Sequence, residues 1–233
     1  MSEERLGVGS PSSDVASPPV EVESSSVRLV TTLATAGALA GLAIVLVFQW
    51  ANPHIEAWRA EVLAEAVTEV IGGAERYQTA FLVGSEFAWA PDADTTELDR
   101  VYVGYDGDGR PVGVAVVGGE PGFQDVIRLM FGYDPETGDV IGMKVLESKE
   151  TPGLGDKIEK DSTFLEAFAR VASPLVGLKR GRERGADGEV TMITGATISS
   201  RAVIDIINHR LETLREPIAG LWASSLVAGA GGT

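Results

Sequence analysis

An α+β domain behind a single N-terminal membrane-spanning helix is the architecture this sequence predicts, and three observations predict it. Twenty consecutive residues, Leu29 to Phe48, carry no charge. Four short, β-branched runs in the middle of the chain are each bounded by Gly, Pro or Asp. Helical patterns then occupy the C-terminal third. Strands first and helices afterwards is the order of a twisted antiparallel sheet with flanking helices.

Residues 1–27 are rich in Ser and Pro and hold five acidic groups: Glu3, Glu4, Asp14, Glu21 and Glu23. Such a composition buries too little apolar surface to order itself, so a disordered tail is expected there. At 1.5 Å per residue the uncharged run covers about 30 Å, the thickness of a hydrocarbon core, and it lacks the polar stripe of an amphipathic core helix. A cleaved signal peptide is the competing reading, but the run exceeds the usual signal core and no small-x-small site follows it. The expected anchor is 28–50, with Gln49-Trp50-Ala51-Asn52-Pro53 as interfacial aromatic and stop. Arg28 and Arg59 flank it almost evenly, so charge does not set its orientation. Gly37, Ala38, Gly41 and Thr35 are small enough to let another membrane helix approach.

Beyond the anchor, Ile55, Trp58, Val62, Ala66 and Val70 fall near helical spacing, and Gly72-Gly73 ends that helix. Strands are predicted at Val101–Tyr105, Val112–Val117, Val126–Met130 and Val140–Leu146, with turns at Asp106–Gly109 and Asp134–Gly138. Asp161-Ser162 opens a helix over STFLEAFARVA that stops at Ser173-Pro174. A polar loop, Gly181 to Gly188, leads to a strand at Val190–Ile193 and a long helix from about Ile198 to Leu214, closed by Pro217. The domain is expected to span 51–217, with 218–233 as a flexible tail.

Composition removes whole classes of function. With no cysteine there are no disulfides, thiol nucleophiles, zinc–cysteine sites or cysteine-held iron–sulfur clusters, so redox chemistry requires a borrowed cofactor. A net charge of -15 repels nucleic acid, which is not an expected partner. The acidic turn at Asp106 is not a calcium loop, because Pro111 and Val117 stand where such a loop needs Gly and a bidentate Glu. His54 and His209 are too far apart in the chain to read as a metal pair, and no metal site is expected. No nucleophile elbow, Walker loop or dinucleotide fingerprint occurs.

Two small-residue clusters remain. Glu150-Thr151-Pro152-Gly153-Leu154-Gly155 reads plainly as a tight loop, and Thr194-Gly195-Ala196-Thr197 as a capped helix start. Each also has a functional reading. The free N–H groups and positive dipole end at Thr197 suit a phosphate. In the other cluster Gly153 and Gly155 admit a flat ligand, to which Glu150 and Thr151 offer hydrogen bonds.

With ETPGLG followed at a distance by TGAT at the last helix, the chain resembles the FMN-binding G subunit of Rnf ferredoxin:NAD+ oxidoreductase complexes and, more distantly, the C subunit of sodium-translocating NADH:quinone reductases. The likeness runs from about Arg28 to Arg215 and includes AVTEVIGGA (66–74), Gly122-Phe123, Gly142-Met143-Lys144-Val145 and TGATISS. It implies FMN joined through a phosphoester to Thr197, attached by a separate flavin transferase, with Thr194, Gly195, Ala196 and Ser199 around the attachment point. It also implies that Glu150, Thr151, Gly153, Leu154 and Gly155 line the flavin, with Lys157 as a nearby charge. The chain would then be an electron-relay subunit, not a stand-alone catalyst, working among other subunits of a membrane complex. Its N-terminus would be cytoplasmic and its FMN domain on the outer, periplasmic face.

One position departs from the family. The transferase's usual pattern has Asp three residues before the first hydroxyl residue of TGAT, where this chain has Thr191; Asp187 and Glu189 lie nearby, out of register. Covalent FMN, non-covalent FMN and a structural domain without flavin all remain readings at this level.

Overall fold

The computed structural model describes residues 26–91, 94–95 and 97–230. The expected disordered tail therefore lies almost wholly outside the described residues. The chain divides into two compact units, Met1–His54 and Ile55–Thr233.

In the first unit the described residues belong to helix α1, Ser26–Ile71, whose stretch Ser26–Pro53 is long and apolar enough to cross a membrane. The stop expected at Asn52-Pro53 is not found, because α1 continues through Pro53. Proline removes one backbone hydrogen bond, a loss that a long helix tolerates when its neighbours hold it.

The second unit is built on one seven-stranded antiparallel sheet. Its strands are β1 (Arg76–Val83), β2 (Glu86–Ala88), β3 (Arg100–Tyr105), β4 (Pro111–Pro121), β5 (Val126–Asp134), β6 (Asp139–Glu147) and β7 (Val171–Ala172), in the spatial order β2-β1-β3-β4-β5-β6-β7. Between β6 and β7 lie the short helices α2 (Lys157–Lys160) and α3 (Ser162–Glu166). A parallel pair, β8 (Val176–Lys179) and β9 (Glu189–Met192), precedes the last helix, α4 (Thr197–Ala230).

Both faces of the sheet are covered. Val101, Val103, Val114, Val116, Leu129 and Phe131 point to the α4 side, where Val203, Ile206, Ile207, Leu211 and Leu214 meet them. Tyr102, Ala115 and Met130 point the other way, onto Ala66, Val67, Val70 and Ile71 of α1. Burial on two sides is why β5 reads as a nearly unbroken apolar run instead of an alternating one. Gly132 and Gly142 are paired across β5 and β6, and a Cβ on either would run into the backbone of Val70, so the end of α1 rests on bare backbone.

Three expectations need correction. The helix does not end at Pro217, and 218–233 is not a flexible tail up to Ala230: α4 runs on, with Ile218, Leu221, Trp222 and Ser225 buried. Those residues continue the apolar stripe of Leu211 and Leu214, and their burial outweighs the roughly 3 kcal/mol cost of an internal proline. The helix over STFLEAFARVA is one short turn, Ser162–Glu166, capped by the Asp161 side chain accepting from the Phe164 N–H at 3.2 Å. The chain then turns through Arg170, at φ +62°, into β7. Strands β1, β2, β7 and β8 were not expected; the four predicted strands and the β9 segment are present.

Candidate functional site

The two sequence clusters meet in space through Glu150. It leaves the end of β6, and its carboxylate is turned inward, with only 6% of the residue exposed. Its Oε1 accepts hydrogen bonds from the backbone N–H groups of Phe123 and Gln124, at 2.9 and 3.0 Å. Its Oε2 accepts from the hydroxyl of Ser199, in the first turn of α4, at 2.7 Å. One buried side chain thus ties the 122–125 turn, the 150–155 loop and the start of α4 together. Burial pushes the Glu150 carboxyl up, but the Gln124 amide, the Ser199 hydroxyl and the Phe123 and Asp125 amides favour the ionised form and hold it below the usual carboxylate range.

Around this brace the loop closes on itself. Thr151 donates its hydroxyl to Gln124 Oε1 at 2.8 Å. Gly153 takes a left-handed conformation, φ +78°, and its N–H donates to Asp156 Oδ1 at 2.7 Å. Gly155 is packed against Glu150 and Ser199 so closely that any Cβ there would strike both side chains. Asp156 also pairs with Lys160 at 2.6 Å. Lys157, the first residue of α2, is half-buried beside them.

The TGAT turn leaves β9 and enters α4. Thr194 and Gly195 are exposed, Gly195 at φ +88°, and Ala196 is buried. The Thr197 hydroxyl donates to the Ile193 carbonyl only at the long distance of 3.5 Å, which leaves its oxygen available for other chemistry. The serines after it are engaged: Ser199 with Glu150, and Ser200 Oγ as acceptor for the Ile193 N–H at 3.2 Å. Thr197 opens the helix, where first-turn amides lack intrahelical partners and the dipole favours an anion.

An apolar rim accompanies this polar centre. Phe123, Leu154 and Ile198 are each adjacent in the chain to a residue of the brace or its packing, and each is more than half exposed. A phosphate-suited helix start, glycine-opened backbone and exposed apolar side chains are the surfaces that a flavin phosphate and ring require, so the residues present fit FMN. A separate cleft of about 620 Å³, lined by Trp58, Leu63, Tyr102, Val117, Arg128 and Arg210, contains none of the motif residues.

Two features escaped the sequence reading. Phe123 and Gln124 act through backbone N–H groups, which leave no side-chain signal. Glu183, from the loop between β8 and β9, accepts the Thr191 hydroxyl at 3.0 Å. A carboxylate is therefore in hydrogen-bond contact with the threonine that occupies this position. Asp187 and Glu189 do not take that place; Glu189 Oε2 instead accepts from the amides of Arg184 and Gly185, at 2.8 and 3.0 Å.

Comparison with known proteins converges on this region. Residues 122–212 match the model of the FMN-binding domain, a span that starts at the Phe123 turn and ends within α4. The G subunit of the ion-translocating oxidoreductase complex of Methanosarcina acetivorans is 28% identical over 185 residues, covering 79% of this chain and 92% of that protein. The Escherichia coli K12 protein of the same description is 32% identical over 172 residues, covering 73% of this chain and 78% of its own length. In fold, the chain is similar to Shewanella oneidensis NqrC, with a TM-score of 0.59 at 16% identity over 72% of this chain and 99% of that one.

Proposed function

The chain belongs to the family of G subunits of ion-translocating oxidoreductase complexes, an FMN-binding electron-relay component, and from that membership we propose that Thr197 carries FMN through a phosphoester bond. The observation that carries the proposal is the state of the hydroxyls in TISS. Ser199 and Ser200 are buried and occupied, whereas Thr197 Oγ, at the mouth of α4, is held only by a 3.5 Å contact.

In this reading Thr197 accepts through its Oγ the FMN phosphoryl that a separate flavin transferase takes from FAD, with AMP released. The first-turn amides and dipole of α4 stabilise the remaining phosphodiester charge. Bound FMN supplies one- and two-electron redox chemistry that the polypeptide, without cysteine, lacks. Glu150 holds the loop and the helix start in register, while Phe123, Leu154 and Ile198 would offer apolar cover to the ring. Glu183, seated on Thr191, supplies the acidic group for which the transferase pattern uses Asp.

Within the same proposal the complex is of the Rnf type, passing electrons between ferredoxin and NAD+ with ion translocation. The helix at Ser26–Pro53 anchors the chain in the cytoplasmic membrane, N-terminus inside and FMN domain on the outer face. The domain begins at about residue 51. Gly37 and Gly41, where an added Cβ would meet nothing within 4 Å beyond the local turn of its own helix, leave room for a helix of another subunit.

The test is intact mass and in-gel flavin fluorescence of the full chain, co-expressed with a flavin transferase. Wild type should carry one FMN, Thr197→Ala none, and Glu183→Gln a reduced fraction. An adduct that persists in Thr197→Ala overturns the attachment site. Full loading of Glu183→Gln removes the role given to Glu183.

A further inference from the structure

The densest positive charge on this acidic chain is one loop. Lys179, Arg180, Arg182 and Arg184 fall within six positions and are all exposed, on a protein of net charge -15. A run of charges is most often a solvated face, but three details separate this one from that reading.

First, two of the three carboxylates at the loop are turned to internal tasks, the third, Asp187, being exposed. Glu183 receives the Thr191 hydroxyl, and Glu189 receives the Arg184 and Gly185 amides. Secondly, many cations elsewhere in the unit find carboxylates, among them Lys144 with Glu69 at 2.6 Å, Lys149 with Asp125 at 3.2 Å and Arg210 with Asp99 at 3.1 Å, whereas Arg76, Lys157, Arg201 and Arg215 stand singly and not as a cluster. None of the four loop cations has a carboxylate within 4.0 Å among the described residues, and Arg180 feels Glu183 only at longer range. Thirdly, the loop is placed by a parallel pairing. Lys179 sits opposite Met192, so the basic start of the loop and the Ile193–Thr197 turn leave the same end of β8 and β9.

We propose that Lys179–Arg184 is a docking surface for an acidic face of another protein subunit, set beside the TGAT turn so that docking orients that partner toward Thr197. Charge complementarity chooses the partner. An anionic lipid surface extends in every direction and repels a chain of net charge -15, whereas a protein can present an acidic patch no larger than the loop. The surface itself does not depend on flavin. Its use for electron transfer does rest on the relay function proposed above.

The experiment is zero-length carbodiimide coupling in native membranes that contain the full chain and the rest of its complex, with the Lys179 amine as reporter. The expected product is an amide between Lys179 and an Asp or Glu of a different subunit, mapped by mass spectrometry. The double variant Arg180→Glu/Arg182→Glu should lower its yield about tenfold at low salt, and wild type should fall similarly as salt shortens the screening length to about 3 Å near 1 M. Arg180→Lys/Arg182→Lys should retain it. Coupling only within the chain overturns the proposal, as does a yield indifferent to charge reversal, or one that follows the anionic lipid content of reconstituted membranes. Flavin fluorescence read on the same samples separates the two ideas: coupling without FMN removes the relay and keeps the surface, and FMN without coupling does the reverse.

Discussion

Replacing Glu150 by alanine removes the acceptor of three hydrogen bonds at once: the Phe123 and Gln124 amides and the Ser199 hydroxyl. Hydrogen bonds to a charged group contribute about 1.5–3 kcal/mol each. The serine hydroxyl can turn to another acceptor, and Phe123 and Gln124 lie near solvent, so the three together should cost about 3 kcal/mol, not their full sum. For a domain of this size that lowers Tm by about 6–12 °C. Glu150→Gln keeps an oxygen for the two amides and an NH₂ for Ser199 Oγ, and should cost only about 1 kcal/mol. The pH dependence fixes the mechanism. Because the folded value of Glu150 lies below the ordinary one, its contribution is present above about pH 4.3 and is lost as pH falls through the depressed value; Glu150→Gln should abolish that part of the acid destabilisation. The assay is thermal unfolding of the full chain in detergent from pH 3 to 7, with FMN loading scored separately. A Glu150→Ala protein that melts within about 1 °C of wild type at pH 7 would refute the reasoning.

Three further outcomes are expected. Gly132→Ala places a Cβ against the backbone of Val70, and the resulting shift of the end of α1 should cost about 1–3 kcal/mol and raise amide exchange across residues 66–71. Lys144→Met removes the ion pairs to Glu69 and Glu65, at 2.6 and 3.4 Å, and should destabilise by about 1 kcal/mol at low salt, with the difference from wild type shrinking as salt rises. His209 is raised above its usual value by its 2.7 Å contact with Glu120, so that pair stabilises the fold below about pH 6.5 and the gain disappears as pH climbs through the raised value. Titrating stability from pH 5 to 9 should show that slope in wild type and not in Glu120→Gln.

Much of the sheet was legible because turn chemistry is local. Asp106 receives the Asp108 and Arg110 amides on its own carboxylate, and Gly109 supplies the left-handed position, all within five residues. Strand β1, RYQTAFLV, was missed because its first half is polar and exposed, so it lacks an alternating apolar face. The Gly132–Gly142 pairing under α1 depends on strand register, which no single segment encodes. The continuation of α4 was present in the sequence as Leu211, Leu214, Ile218 and Leu221 at helical spacing, but Pro217 and the small residues after it read as punctuation. At the site, the hydroxyls and glycines were legible as residue types. What could not be read was direction: Glu150 faces inward to the fold, and Glu183 arrives beside Thr191 from a different loop.

Because α4 follows the strands of the sheet in the chain, the sheet is synthesised before the helix that covers it. The apolar face formed by Val101, Val114, Leu129 and Phe131 has no cover until that helix exists, and Ser199 cannot meet Glu150 before then. The 34-residue helix α4 closes the core and braces its own first turn in a single docking. A chain without the docked α4 therefore presents an open sheet and a loose Thr197 together, so modification at that threonine would mark polypeptides whose sheet has been covered.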